Sequence, residues 1–267
     1  MKLRRLMRGL KTRLRIARER FVVRDPVIHL YCLCWNEERM LPYFFRHYDD
    51  LVDRYFICDN GSTDRSRHLL SANRKVVIGE FRITGASFVE AATAHYNQCW
   101  QQSRGIADWV IIVNVDEHVY HPDLRAHLQA CARNGVSILR PEGYNMVADD
   151  WPSSLKPLWK TVQYGMRDPI WDKPQVFDPN RIQEINFKEG RHAADPSGEV
   201  VFPQSEQTRM LHYKYLGADY LVRRHAELRS RFRAADFERG WGYQYLWDER
   251  KNIEELQRVR AGSVRVV

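Results

Sequence analysis

The sequence predicts a three-layer α/β/α fold built on a mixed, mainly parallel sheet and followed by C-terminal helices. Three observations carry this. Apolar runs rich in strand formers alternate with helical segments over residues 27–140, the pattern of a parallel sheet with helices on both faces. One run, "WVIIV" from Trp109, is apolar without alternation, as strands buried on both faces are. The chain has 267 residues, 44% of them hydrophobic, with eight Trp, thirteen Tyr and eleven Phe, enough for the core of one large domain.

The elements follow in order. "VIHLYCLC" after Pro26 is a first strand. "WNEE" breaks it, and "MLPYFFRHYDDLV" reads as a helix that tolerates Pro42 only near its first turn. "RYFICD" is a second strand. "NGSTD" supplies turn chemistry and caps for a helix at "RSRHLLSA". "KVVIGE" is a third strand, and "SFVEAATAHYNQCWQQSRG" a helix closed by Gly105. "DWVIIVNVDE" is a fourth strand. His118 and His121 belong to the turn after it, and Pro122 opens the helix "PDLRAHLQACARNG". "VSILRPEGY" is a fifth strand. Residues 141–216 carry short strand-like pieces ("KPQVFDP", "RIQEINF", "GEVVFP", "MLHYKYL"), expected partly to extend the sheet and partly to form a lid. The expected organisation is an arm over 1–24, a domain over 25–216 and a helical extension over 217–267 packed on that domain.

Charge is unevenly placed. Residues 1–24 hold ten Lys/Arg against Glu19 alone, while the rest of the chain holds 32 basic and 33 acidic residues. A near-neutral body argues against a basic nucleic-acid face, so nucleic-acid binding rests on the arm alone and no specific nucleic-acid partner is expected. In the arm, Leu3, Leu6, Met7, Leu10, Leu14, Ala17 and Phe21 recur at helical spacing opposite arginines. It reads either as an amphipathic helix on an anionic membrane surface or as a solvated basic helix. No apolar stretch suits a signal peptide or a bilayer span. Cys32, Cys34, Cys58, Cys99 and Cys131 show no CxxC pairing, so reduced thiols are expected. The expected location is cytoplasmic, peripheral on the inner membrane face if the arm docks.

No GxGxxG, GxxxxGK[ST] or HExxH occurs. The sheet instead presents acids at three strand ends: "WNEE", "DNGSTD" and "NVDEH". Open α/β sheets bind ligands at those ends. Acids beside a diphosphate repel it unless a divalent cation lies between them.

The segments "CWNEERMLPYFFRHY", "ICDNGSTDRS", "AHYNQCWQQSRGIADWVIIVNVDEHVYHPDL" and "MLHYKYLG" stand in an order that resembles the family-2-type glycosyltransferases of the GT-A fold. The resemblance is closest from Val27 to Leu124 and looser to Gly242. It implies a GT-A-like (nucleotide-diphospho-sugar transferase) fold in which Asn36 and Glu37 line the nucleotide pocket and Asp59 accepts from the base. Asp64 caps the next helix. Asn97 lies near the pocket or is a plain surface-helix residue. Asp116 is the metal ligand, and a late histidine, His212, is a further one, with Lys214 facing the diphosphate. The family's first acid of Asp-x-Asp is Asn114 here, which keeps an acceptor for a ribose hydroxyl but loses a charge. Glu117 is either an orienting acid at the same edge or an acid approaching the next helix. His192 is a second candidate histidine or a satisfied loop residue. A zinc pair of His118 and His121 is the weaker reading of that spacing.

The catalytic base of an inverting transferase would come from Asp149, Asp150 or Asp172. Trp151, Trp159 and Trp171 offer aromatic faces for sugars, or core packing. The function implied is transfer of a sugar from a nucleotide-diphosphate sugar, most simply a UDP-sugar, to a hydroxyl of a glycan or lipid-linked acceptor, as in polysaccharide biosynthesis, assisted by Mg2+ or Mn2+. The alternative is a non-catalytic nucleotide-sugar or glycan-binding protein with a decayed Asp-x-Asp site. A nucleotidyltransferase would want a Gly-rich basic loop after the first strand, which "CWNEERM" lacks.

Overall fold

The structure, a computed structural model, describes residues 24–154 and 156–267. The arm over 1–24, apart from Arg24, lies outside the described residues, and so do both readings of it.

The elements are β1 (Ile28–Cys34), α1 (Leu41–Tyr48), β2 (Arg54–Asp59), α2 (Ser66–Ala72), β3 (Val76–Glu80), α3 (Phe88–Gln98), β4 (Trp109–Ile112), β5 (Glu117–Tyr120), α4 (Leu124–Arg133), β6 (Ile138–Leu139), β7 (Glu142–Ala148), β8 (Tyr164–Arg167), β9 (Val176–Phe177), β10 (Ile182–Glu184), β11 (Ser197–Gly198), β12 (Arg209–Leu216), α5 (Ala218–Arg229), α6 (Ala234–Glu238), α7 (Glu249–Ala261) and β13 (Val264–Arg265). A six-stranded sheet runs in the order β3-β2-β1-β4-β9-β6. Its first four strands are parallel, and β9 pairs antiparallel with both β4 and β6. The predicted mixed, mainly parallel sheet is therefore present.

Period-two alternation divides this sheet's side chains between two cores. Ile28, Leu30 and Cys32 of β1 and Trp109 and Ile111 of β4 join a core with α1, α4 and residues of β5, β7 and β12. Tyr31, Val110 and Ile112 face the other way, onto Ala91, Ala92 and Tyr96 of α3. All four residues of β4 are buried, as the unalternating run required.

Three expectations are corrected. The fourth strand does not run on through "VDE". It stops at Ile112, and Glu117 begins β5 in a second, five-stranded sheet of order β13-β8-β7-β12-β5. His118 is therefore a fully buried strand residue rather than part of a turn, stacked on His47 at 4.6 Å between ring centroids. Residues 141–216 extend the first sheet through β9, as expected in part, and otherwise mainly build this second sheet. Pro141, which has no N–H to donate, stands between β6 in one sheet and β7 in the other. "GEVVFP" forms no strand beyond the short β11. Residues 217–267 are mainly helical, with α5 and α7 packed over Val147 and Tyr215 of the second sheet and β13 at its edge.

Candidate functional site

The loops after β1 and β2 are laced together. Gly61, at φ 72°, gives the turn a left-handed residue that glycine adopts without strain. Both Asp59 oxygens then accept from the Ser62 N–H, at 3.2 and 3.3 Å. Asn36 Oδ1 accepts from Thr63 N–H at 2.8 Å, and the Ser62 hydroxyl accepts from Asn36 N–H at 3.0 Å. Asp64 accepts from Glu38 N–H at 3.0 Å and from Ser66 N–H at 2.9 Å, at the start of α2. Glu37 is ion-paired with Arg224 of α5. Burial, against the pull of Arg224 and aided by Asp116 and Asp64, pushes the Glu37 carboxyl up to about 8.

Asp59, Asn60 and Gly61 form one wall of an open cleft of about 460 Å³, also lined by Phe81, Glu80 and four arginines, Arg67, Arg82, Arg231 and Arg233. That size suits a small ligand, and the arginine set suits its phosphates. Arg231 and Arg233 were not legible in the sequence as site residues. They come from the segment after α5, which Asp236 pins to the start of α3 by accepting from Phe88 N–H at 3.0 Å and Val89 N–H at 3.1 Å.

Beyond β4 the chain bends, and Asp116 meets β12. The Asp116 carbonyl accepts from Tyr213 N–H at 2.8 Å, and its Oδ2 lies 3.3 Å from His212 Nε2. The Asp116 side chain is 29% exposed and that of His212 only 4%. Adjacent octahedral ligands about 2.1 Å from a divalent ion stand about 3 Å apart, so the pair fits two corners of one coordination sphere. Among the described residues no group of three or more His, Cys, Asp or Glu could hold a metal ion, so the remaining ligands of such an ion would be water and phosphate oxygens. Lys214, two residues beyond His212, has no carboxylate in ion-pair reach among the described residues. Burial holds its ammonium down at about 8, against the pull of Asp116.

Asn114 and Glu117 face inward. Glu117 is fully buried and binds Lys173 Nζ at 2.6 Å and Arg191 at 3.2 Å. Burial opposes its charge, but Lys173 and Arg191 outweigh that and hold the carboxyl well below the usual range. Asn114 accepts from Arg191 at 2.8 Å and donates to Glu117 at 3.2 Å. An Asp at position 114 would face the Arg191 guanidinium directly; with Asn there, the charge of that guanidinium is met by Glu117 alone. The sequence assigned no role to Arg191, Lys173, Asn145 or Asp168, because their partners lie far away along the chain.

The other named residues are placed as follows. Asn97 ties α3 to Phe187, accepting from its N–H at 2.7 Å and donating to its carbonyl at 3.2 Å. His192 donates from Nδ1 to the Ile170 carbonyl at 2.9 Å. Burial, with Lys173 nearby, lowers its ring to about 4. Asp172 accepts from Gly143 N–H at 2.7 Å and Arg167 at 2.6 Å, so both oxygens are engaged. Asp149 pairs with Arg260 at 2.5 Å. Asp150 is exposed, and among the described residues its carboxylate has no partner. Trp171 lies tilted against His212 at 3.9 Å between ring centroids, Trp151 packs on Tyr220 at 4.4 Å, and Trp159 lies against Tyr120 at 5.3 Å.

No family model matches the chain. It is similar to a glycosyltransferase family 92 protein of Ricinus communis, 29% identical over 112 residues, covering 40% of this chain and 20% of that protein. The match thus spans about a fifth of that relative's length. Among solved structures it is similar to residues 1–349 of S. aureus TarS (TM-score 0.38, 10% identity, 74% of this chain and 63% of that one). It is also similar to glucosyl-3-phosphoglycerate synthase from Mycobacterium tuberculosis, solved with Mn2+, uridine diphosphate and glucosyl-3-phosphoglycerate (TM-score 0.31, 19% identity, 44% of each chain). These structural overlaps are loose.

Proposed function

We propose that the protein is a glycosyltransferase that moves a sugar from a nucleotide-diphosphate sugar to a hydroxyl acceptor with the help of a divalent metal. The observation that carries this reading is the meeting of Asp116 and His212 beyond the end of β4, on the same loop edge as Asp59. The sequence similarity to a protein described as a glycosyltransferase supports the same reaction class.

In this reading Asp59 accepts from the N–H of the base, and Arg67, Arg82, Arg231 and Arg233 offset phosphate charge in the cleft. Asp116 and His212 would hold Mg2+ or Mn2+. When bound, the metal neutralises charge on the departing diphosphate. Lys214 adds a positive charge near the same place. Glu37, buried beside Arg224, fixes the loop that closes this edge. Of the three carboxylates suggested as base, Asp150 is the one whose oxygens are unengaged among the described residues. We assign it the acceptor hydroxyl's proton.

The test is slow hydrolysis of a panel of nucleotide-sugars by the full chain with Mn2+. Release of nucleoside diphosphate from at least one donor, reduced at least 100-fold in Asp116→Ala, is expected. No turnover with any donor, together with retained nucleotide-sugar binding, would favour the non-catalytic binding protein instead.

A further inference from the structure

We infer that Asp168 and Asn145 are positioning residues that hold a proton on Nδ1 of His212, so that Nε2, aimed at Asp116, is the ring nitrogen that takes a cation. The inference rests on the metal-assisted reading above and adds two residues to it.

A chain of contacts orients the His212 ring. An ionised carboxylate can only accept hydrogen bonds. Asp168 Oδ2 lies 2.9 Å from the Asn145 amide, so the atom facing it is Nδ2. This turns Asn145 Oδ1 toward His212, whose Nδ1 lies 2.9 Å away. An amide oxygen cannot donate, so Nδ1 must carry the proton, and in a neutral imidazole Nε2 then has none. Nε2 faces Asp116 Oδ2 at 3.3 Å. Two acceptors facing each other in a largely buried place are unfavourable unless a cation lies between them. Metal-binding histidines are commonly oriented in this way, by a partner on the other ring nitrogen.

The parts are held by the fold. Asn145 and His212 are direct partners in the parallel pairing of β7 with β12. Asp168 Oδ1 also accepts from Ile170 N–H at 3.3 Å, anchoring the turn over Pro169–Trp171. That turn brings Trp171 onto the His212 ring. Gly143 allows the close approach, since a Cβ there would stand 2.3 Å from Trp171 Cβ. The chain also accounts for an amide at 145, because an Asp there would set one carboxylate against another.

The test reads the tautomer directly. Long-range 1H–15N spectra of the full chain in excess Mg2+, with the His212 signals assigned by their loss in His212→Gln, should show a protonated Nδ1 and an unprotonated Nε2; without the ion, Nδ1 should keep its proton. In Asp168→Asn the amide of Asn145 is no longer oriented. The tautomers should mix, and Mn2+ affinity, measured from free Mn2+ by electron paramagnetic resonance, should fall about tenfold. Asp116→Asn should lose Mn2+ while keeping the tautomer. A wild-type His212 with no proton on Nδ1 overturns the inference, whether or not Asp168→Asn folds. So does unchanged Mn2+ affinity in Asp168→Asn with a mixed tautomer. A protonated Nδ1 in a wild-type chain that takes up no Mn2+ would instead overturn the metal-assisted reading of function and leave the positioning roles standing.

Discussion

Glu117 is ionised in a place with no solvent because two cations reach it. Lys173 lies 2.6 Å and Arg191 3.2 Å from its oxygens, and Asn114 adds a neutral donor at 3.2 Å. Breaking such a buried pair leaves uncompensated charge, at about 3–5 kcal/mol. Glu117→Gln is therefore expected to lower unfolding stability by that amount in urea titrations at neutral pH. The sign with pH follows from the lowered folded value. This contribution is present above the unfolded carboxyl value of about 4.3 and is lost as pH falls through the folded one. Wild type should lose stability on acidification below about pH 4 more steeply than Glu117→Gln. Equal slopes would contradict the ionised pair. At this scale Asp116 and His212 were legible, because acids at strand ends and a histidine on a late strand stand out by position. Lys173, Arg191, Asn145 and Asp168 were not, since each acts through a partner distant in the chain. The inward aim of Glu117 depends on the chain changing sheets after Asp116, which no local pattern reveals.

At the scale of elements, two short segments hold the cleft. The turn over Asp168–Asp172 fixes His212 from one side. The segment after α5 brings Arg231 and Arg233 over the end of β2, with Arg231 donating to the Asn60 carbonyl at 2.6 Å and lying 4.6 Å from the Trp35 ring. Its clamp is Asp236, fully buried, which accepts from Ser87 Oγ at 2.5 Å, from two N–H groups at the start of α3, and from Arg233 N–H at 2.8 Å. Asp236→Ala leaves these donors unsatisfied and is expected to cost about 2 kcal/mol. It should also weaken UDP binding severalfold in calorimetry, because the two arginines lose their anchor. Undiminished affinity in a folded variant would remove them from the donor site. Strand β2 is found over the "RYFICD" stretch read from the sequence, because an apolar run bounded by turn residues is a local signal. The segment after α5 could be read only as charged helix, since what it covers is set by tertiary packing.

For the whole molecule, the parallel half of the fold was legible and the second sheet was not. Strands β1 to β4 are separated by periodic helices and lie between two cores. By contrast the second sheet joins β5, β7, β8, β12 and β13, which are scattered along the chain, so no local periodicity marks their pairing. In the proposed function the first sheet would supply the nucleotide-facing loops, and the second supplies His212, Asn145 and Lys214 to the same edge. The proposed site lies where the sheets meet, at Asp116. The central claim is that this junction binds a nucleoside diphosphate through a divalent metal. Calorimetric titration of UDP with and without Mn2+ tests it most directly. Binding strengthened by Mn2+ in the wild type, with that gain abolished in Asp116→Ala, is the predicted result. Binding equally tight without metal, and unchanged by Asp116→Ala, would contradict it.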